Sequence, residues 1–299
     1  MSEIKYDNHI EEYSNSLKNE EIMLHYETWL NTDNLDYWHH SRLRSFLEVI
    51  VKHFPNESWL TVGDGRFGTD ANCLLKLGVN DVHASDLSDD LLKIGFEKGF
   101  IKEFSSQNAE DLKFEDNSFD FVYCKESLHH FPRPYIALNE MFRVSKKGVI
   151  FTEPRDQSID KSVLDIILKF FKLILKKNVS NHNFEEVGNY IYSFSEKELE
   201  KFLLGMHHTN ISFLGINDLY IKGMEYVSVN PKDFLDRLFY MKYKFKLFFL
   251  NLLCKLHLKK TGLLTVILHK KEPNKNFLEA LEKEGFLNKS LPENPYIEN

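Results

Sequence analysis

An apolar run, Trp59-Leu-Thr-Val62, stops abruptly in three glycines spaced Gly63-x-Gly65-x-x-Gly68. Glycines at this spacing let a strand turn sharply into a helix and let backbone N–H groups approach a ligand with no Cβ in the way. The apolar residues that follow, Ala71, Leu74, Leu75 and Leu77, recur at helical spacing and end at Gly78, a residue suited to a helix C-terminus. A short strand, Val82-His-Ala-Ser85, then delivers Asp86. The interval from Gly68 to Asp86 is close to that at which a carboxylate at the end of a second strand receives ribose hydroxyls. Together these features read as a nucleotide-binding βαβ unit. The competing reading makes Asp86 only a cap for the next helix, over residues 88–99.

A start of this kind serves either NAD or S-adenosylmethionine, so later residues must decide. A polar loop, Gln107-Asn-Ala-Glu-Asp-Leu112, leads through an Asp-Asn-Ser turn to an apolar strand, Phe119-Asp-Phe-Val-Tyr-Cys124. Then come Lys125-Glu-Ser-Leu-His-His-Phe-Pro-Arg-Pro134, a helix through Arg143, and a strand Gly148-Val-Ile-Phe-Thr-Glu-Pro154. In this order the segments resemble the class I S-adenosylmethionine-dependent methyltransferase family. Its members carry a glycine loop, an acidic strand end, an Asp/Asn-Ala-Glu loop, a Phe-Asp-x-Val strand and a Gly-strand-Glu-Pro segment. The resemblance runs in register over residues 58–154, with weaker agreement to residue 270.

The resemblance implies an α/β fold: a Rossmann-like, mostly parallel seven-stranded sheet with helices on both faces, an N-terminal helical lid and a C-terminal helical insertion. It implies S-adenosylmethionine as cofactor, with Gly63, Gly65 and Gly68 around the methionine end, Asp86 on the ribose, and Leu87, Asn108 and Ala109 flanking adenine. Glu110, in the same loop, is read equally as a solvated residue. One position departs from the family: the acid usually found two residues before the first glycine is Thr61. The ligand's amino group then needs another acceptor, for which Asp64, Glu126 or a loop carbonyl is at hand.

The chain's 299 residues allow one large α/β domain with an appended region. We divide it into an N-terminal helical lid (1–55), the cofactor-binding core (56–154), acceptor-side helices with the last strands (155–272) and a polar tail (273–299). No internal repeat is evident. A net charge of −7 argues against a general nucleic-acid binder. Cys73, Cys124 and Cys254 are far apart and odd in number, so neither a disulfide framework nor a metal site is indicated. The N-terminus lacks the basic start and apolar core of a secretory signal, and the expected location is the cytoplasm. No stretch reaches the roughly 18 uncharged apolar residues that a membrane span needs.

The lid is aromatic, with Tyr26, Trp29, Tyr37 and Trp38 before His39-His40 and a helix over residues 42–54 closed by Pro55. It is read either as a cover over the site or as a helical pair packed on the sheet. Beyond Pro154, residues 163–175 are apolar but for a narrow helical stripe, and an Asn-rich irregular segment with His182 follows. Ser195 and Glu198 form a capping box for a helix to about residue 204. Strands are expected over 211–216, 219–229 and 262–269, and a short helix over 277–284. Residues 232–260 carry eight basic and two acidic residues, +6 in a chain of −7, leaving −13 elsewhere. With apolar residues at helical spacing, this segment reads as a packed helix with a wet lysine face, or as a surface for an anionic membrane or substrate.

A methyl sulfonium already carries the activated group, so a transferase mainly aligns an acceptor lone pair and excludes water. A hydroxyl acceptor gains from partial proton removal, for which His130, His129 and Glu126 sit at the end of the fourth strand. Packing and turn hydrogen bonds are the competing roles of the two histidines, and Lys125 reads as a solvated lysine. The expectation is methyl transfer to a small polar metabolite, most simply O-methylation of a sugar or similar hydroxyl compound. The rival readings are an NAD(P)-dependent oxidoreductase, and a peripheral membrane or interaction protein with a vestigial nucleotide site.

Overall fold

The computed structural model describes residues 6, 17–162, 164, 166, 183–184 and 189–296. Most of the apolar helix expected over 163–175, and His182 with most of the segment around it, lie outside the described residues. Eight strands form one sheet: β1 (Trp59–Val62), β2 (Val82–Asp86), β3 (Glu103–Ser106), β4 (Phe119–Lys125), β5 (Ser145–Pro154), β6 (Asn210–Ile216), β7 (Leu263–His269) and β8 (Leu287–Ser290). Their order is β3-β2-β1-β4-β5-β7-β6-β8. The first five are parallel, whereas β7 runs antiparallel to β5 and β6, and β8 antiparallel to β6.

Period-two alternation explains why the central strands are apolar throughout. Leu60, Val122, Cys124, Val149, Phe151 and Val266 face one core cluster, while Trp59, Phe121, Tyr123, Ile150 and Ile267 face the other. A sheet covered on both sides exposes neither set to water. The first face is covered by α6 (Pro134–Val144) and α7 (Glu196–Gly205), through residues such as Leu138, Phe142, Leu199 and Leu203. The second carries α3 (Leu47–His53), α4 (Thr69–Lys76), α5 (Asp90–Glu97) and α9 (Lys275–Glu284). The expected capping box is present, with Ser195 and Glu198 exchanging side-chain and backbone hydrogen bonds at the start of α7.

Three expectations are corrected. The sheet has eight strands rather than seven, because the polar tail supplies both α9 and β8. Phe277, Leu281 and Phe286 enter the core, and Lys289 on β8 bonds Glu196 and Glu200 of α7 at 2.9 Å each. A four-residue edge strand held by charges leaves little apolar signal in the sequence. The strand expected over 219–229 is instead a turn and a 3₁₀ helix, Met224–Tyr226, entered at Gly223 with φ of +98°. Both edges of β6 are already taken by β7 and β8, so the segment has no strand to pair with there.

Finally, the helix expected over 42–54 is broken: α2 (Leu35–Leu43) and α3 are separate, and an earlier helix, α1 (Glu20–Glu27), precedes them. The N-terminal segment therefore divides. Helix α3 is a core helix of the sheet, with Leu47 and Ile50 fully buried. Helix α2 packs instead through Leu35 on Met224, Tyr243 and Leu247, the last two from α8 (Phe234–Lys255). Among the described residues no helix is long and apolar enough to cross a membrane.

Gly68 is where the turn out of β1 becomes α4. Its φ is +75°, and a Cβ there would lie 2.5 Å from Ile101 Cγ2. Gly68→Ala should therefore lower stability by about 1–3 kcal/mol through backbone strain and overpacking. Denaturant unfolding measures this, and an unchanged midpoint would show that the helix start tolerates a side chain.

Candidate active site

The sheet order reverses at β1, whose neighbours are β2 on one side and β4 on the other. Connections leaving in opposite directions open a crevice beyond the carboxyl ends of these strands. Two adjoining cavities occupy it. The first, of about 320 Å³, is lined by Gly63, Asp86, Leu87, Asn108, Ala109 and Phe131, among others. The second, of about 230 Å³, is lined by Asp64, Asp70, Glu126 and His129 and shares Gly63, Ser127 and His130 with the first.

Asp86 ends β2 against the first cavity, where it accepts backbone N–H groups from Ser88, at 3.2 Å, and Gly65. Burial pushes its carboxyl up to about 6, against the pull of those N–H groups. The Ser88 bond is a local turn ahead of α5, whose N-cap position is Asp89, so Asp86 does not cap that helix, and its carboxylate lines the cavity. A Cβ on Gly65 would stand 2.9 Å from Asp86 Oδ2, so this glycine keeps the acid in place. A Cβ on Gly63 would meet Ser127 Cβ at 2.4 Å, and Ser127 Oγ donates to the Gly63 carbonyl at 2.7 Å. Gly68 lines neither cavity, and its open Cβ direction is filled by Ile101.

The adenine-side loop is fixed by its own side chains. Asn108 Oδ1 accepts the Glu110 N–H at 3.0 Å, and Gln107 N donates to the Asp86 carbonyl at 2.7 Å. Glu110 is not solvated. It accepts from Arg133 N at 2.7 Å, Arg133 Nε at 2.5 Å and the Tyr6 hydroxyl at 2.6 Å.

Asp64 is buried at the start of α4. Its carboxylate accepts from Asp70 N at 3.0 Å, Ala71 N at 2.9 Å and the Thr61 hydroxyl at 2.9 Å. Burial, reinforced by the charge of Asp70, pushes its carboxyl up. Asp70 is itself paired with buried Arg44 at 2.5 Å, which joins the N-terminal segment to α4.

Glu126, at φ of +50°, follows β4 and bonds Lys125, which is buried rather than solvated. Burial opposes its ionisation, but the attraction of Lys125, its hydrogen bond and the more distant Arg66 prevail and hold the carboxyl at about 2. His40 lies 3.0 Å from both Lys125 and Arg66, and burial with these two cations keeps it well below the usual histidine range.

His129 and His130 are brought together, with ring centroids 3.9 Å apart. They differ in support. His129 Nδ1 lies 2.5 Å from Oε2 of fully buried Glu153, whose other oxygen accepts the N–H groups of Ser127 and Leu128 at 3.0 and 2.9 Å. The His130 backbone is held by Ser127 and by Asn189, which donates to its carbonyl at 2.8 Å. Ser127 and Glu153 were missed as site residues. The only trace of Glu153 in the sequence was its place in the Glu-Pro strand end.

A third cavity, of about 160 Å³, shares Arg66 and Glu126 with the second. Trp29, Asp36 and His40 from the N-terminal segment and Asp218, Tyr220 and Glu225 from the 217–229 turn complete most of its wall. His39 ties the two segments together, with Nδ1 3.0 Å from the Tyr243 hydroxyl and Nε2 2.9 Å from Asp218.

Comparison with known proteins falls on this same crevice. Residues 60–152, which run from β1 to β5, match the family described as a methyltransferase domain. Phosphoethanolamine N-methyltransferase 2 of Caenorhabditis elegans is 31% identical over 108 residues, covering 33% of this chain and 24% of that protein. Demethylmenaquinone methyltransferase of Renibacterium salmoninarum is 36% identical over 107 residues, covering 36% of this chain and 44% of that protein. The chain thus spans from a quarter to less than half of these relatives' lengths. The solved structure of YcgJ from Bacillus subtilis aligns with a TM-score of 0.48 at 16% identity, over 77% of this chain and all of that one. The glycine loop, the acid at the end of β2 and the match to a methyltransferase domain thus all fall on the same strands of this chain.

Proposed function

We propose that the chain transfers a methyl group from S-adenosylmethionine to a small polar molecule seated in the third cavity. The observation that carries this reading is Asp86, a half-buried carboxylate at a strand end in a crevice where Gly63 and Gly65 leave no room for a Cβ. The residues present fit the cofactor. Asp86 would receive the ribose hydroxyls, Leu87, Asn108 and Ala109 would flank adenine, and Gly63 with the second cavity would take the methionine end. Of the two carboxylates available for the amino group, Asp64 already has three hydrogen bonds within the protein. Glu126, ionised far below neutral pH, is the better partner, and the same property makes it a poor proton acceptor. The methyltransferase match over residues 60–152 supports this reading over the NAD(P) one.

When bound, S-adenosylmethionine supplies the activated methyl group. The protein's own task is to align the acceptor, exclude water and take up a proton. His129 lines the second cavity, which shares Arg66 and Glu126 with the third, and from there would be the proton's destination. Glu153 holds Nδ1, so Nε2 would receive the acceptor proton and the carboxylate would stabilise the imidazolium formed. The third cavity suits a compact hydroxyl compound such as a sugar: Asp36, Asp218 and Glu225 offer acceptors for hydroxyl groups, and Trp29 and Tyr220 offer ring faces. The excess of carboxylates over Arg66 also favours an amine as a second reading. Turnover with matched hydroxyl and amine panels, read as S-adenosylhomocysteine formed, separates the two.

S-adenosylhomocysteine should bind in the micromolar range, on the order of −8 kcal/mol, and raise the melting temperature. Ribose hydroxyls favour the ionised form of Asp86, whose carboxyl sits at about 6 in the ligand-free protein. Affinity should therefore be full above pH 7 and weaken as pH falls through 6, by up to about tenfold per unit. Asp86→Ala should abolish this dependence and most of the affinity. Calorimetry from pH 7.5 to about 5 makes the measurement, and affinity that is flat in pH and indifferent to Asp86→Ala would place the ligand elsewhere.

His129→Ala should reduce turnover by roughly 10²–10⁴-fold while changing S-adenosylhomocysteine affinity little. Parallel losses of turnover and binding in His129→Ala would assign it a structural role.

A further inference from the structure

Helix α8 is 22 residues long, or about 33 Å, and only Tyr243 and Leu247 on it are buried. Both lie on the face that packs against Leu35 and Met224. The opposite face is not polar, and among the described residues nothing covers it. Phe234, Leu238, Met241, Phe245 and Phe249 follow one another at steps of three and four residues, forming a single row along the helix, with Phe248 beside it. Their exposures run from 51% for Leu238 and Phe249 to 74% for Phe234. Isolated exposed apolar residues need no explanation, but a continuous row of large ones marks an interaction surface.

Charge frames this row. At about 100° per residue, Lys242 and Lys246 fall along one side and Arg237 and Lys255 along the other, all four exposed. No acidic residue occurs from 237 to 260, although the rest of the chain is strongly acidic. Lys244 is excluded from the set, because its ammonium lies 3.3 Å from the centroid of the Trp38 ring and burial lowers its pKa. The charged groups facing α8 from its neighbours, Asp218 and Arg42 among them, sit on the packed side with His39 and Tyr243.

We propose that α8 is a membrane-docking helix that lies in the plane of an anionic lipid surface, its phenylalanine row in the headgroup–acyl boundary and its lysines on the phosphates. A second copy of the same face would bring lysine rows together, so the charge pattern calls for an anionic partner. The row is a convex ridge of protruding side chains rather than a groove, and a fluid interface accepts such a ridge without a complementary shape. The flanking cations add electrostatic attraction within a Debye length of about 8–10 Å. Docking in this plane is distinct from spanning, for which no described helix has the required length and apolarity. The proposal is independent of the acceptor's identity and of the assignment of His129.

Flotation of the full chain with vesicles of phosphatidylcholine, with and without phosphatidylglycerol, tests it. Binding to the anionic vesicles should exceed binding to neutral ones by about tenfold or more and should fall steeply with added salt. Phe245→Ser with Phe249→Ser should abolish flotation, and Lys242→Gln with Lys246→Gln should weaken it severalfold. Neither pair should change the melting temperature or S-adenosylhomocysteine affinity, because all four side chains are exposed. Absence of flotation by the unaltered chain overturns the proposal, as does flotation that survives the serine pair. A melting temperature lowered by the serine pair would place the row inside the fold. A dimer in sedimentation that the serine pair dissolves, without vesicle binding, would assign the row to a second copy.

Discussion

The strand order, reversing at β1, is the constraint on which the site depends. Because β2 and β4 flank β1 on opposite sides, the loops after β1, β2 and β4 all open toward one crevice at their carboxyl ends. Gly63, Asp86 and Ser127 thereby become neighbours although they are far apart in sequence, and Ser127 hydrogen-bonds the Gly63 carbonyl directly. The antiparallel β7 adds to this from the other side. By pairing with β5 along seven residues it holds Glu153 on a central strand, fully buried, where both its oxygens are committed to the turn carrying His129.

The replacement of the family's usual acid by Thr61 is met within the same loop. Thr61 donates to Asp64, and Asp64 accepts the first free N–H groups of α4, so one carboxylate closes the strand end and caps the helix. This arrangement commits three of the acceptor positions of Asp64 within the protein. Glu126, held ionised by Lys125, lines the same cavity. On the function proposed above, the acid absent from β1 would be replaced as ammonium partner by one at the end of β4.

The core was legible because its signals are local and periodic. The glycine spacing, the strand ending in Asp86 and the Ser195–Glu198 capping box all reappear where the sequence put them. Edge elements were not, since β8 is held by Lys289 with Glu196 and Glu200 across more than eighty residues, and polar strands leave no alternation to read. The segment over 219–229 misled for the converse reason: its β-branched residues suggest a strand, but the neighbouring edges are occupied. At the site, single residues such as Asp86 and His129 could be named from position in a motif. Their partners Gly65 and Glu153 owe their roles to approach distances that only the folded chain sets.

The acceptor was illegible for a structural reason. Residues matching the methyltransferase domain end at 152, whereas the wall of the third cavity, Arg66 and Glu126 apart, comes from 25–40 and 218–225. These two segments are joined by His39, which bridges Asp218 and Tyr243, and by Leu35 N, which donates to the Val227 carbonyl at 2.8 Å. Arg44 with Asp70 fastens the same assembly to α4. Residues 60–152, which match a methyltransferase domain, carry Asp86 and most of the first cavity, while most of the third cavity's wall comes from chain segments on either side of them that meet only in three dimensions. On the function proposed above, substitutions in Trp29, Asp36 or Tyr220 would alter which molecule is methylated without touching any residue of the matched domain.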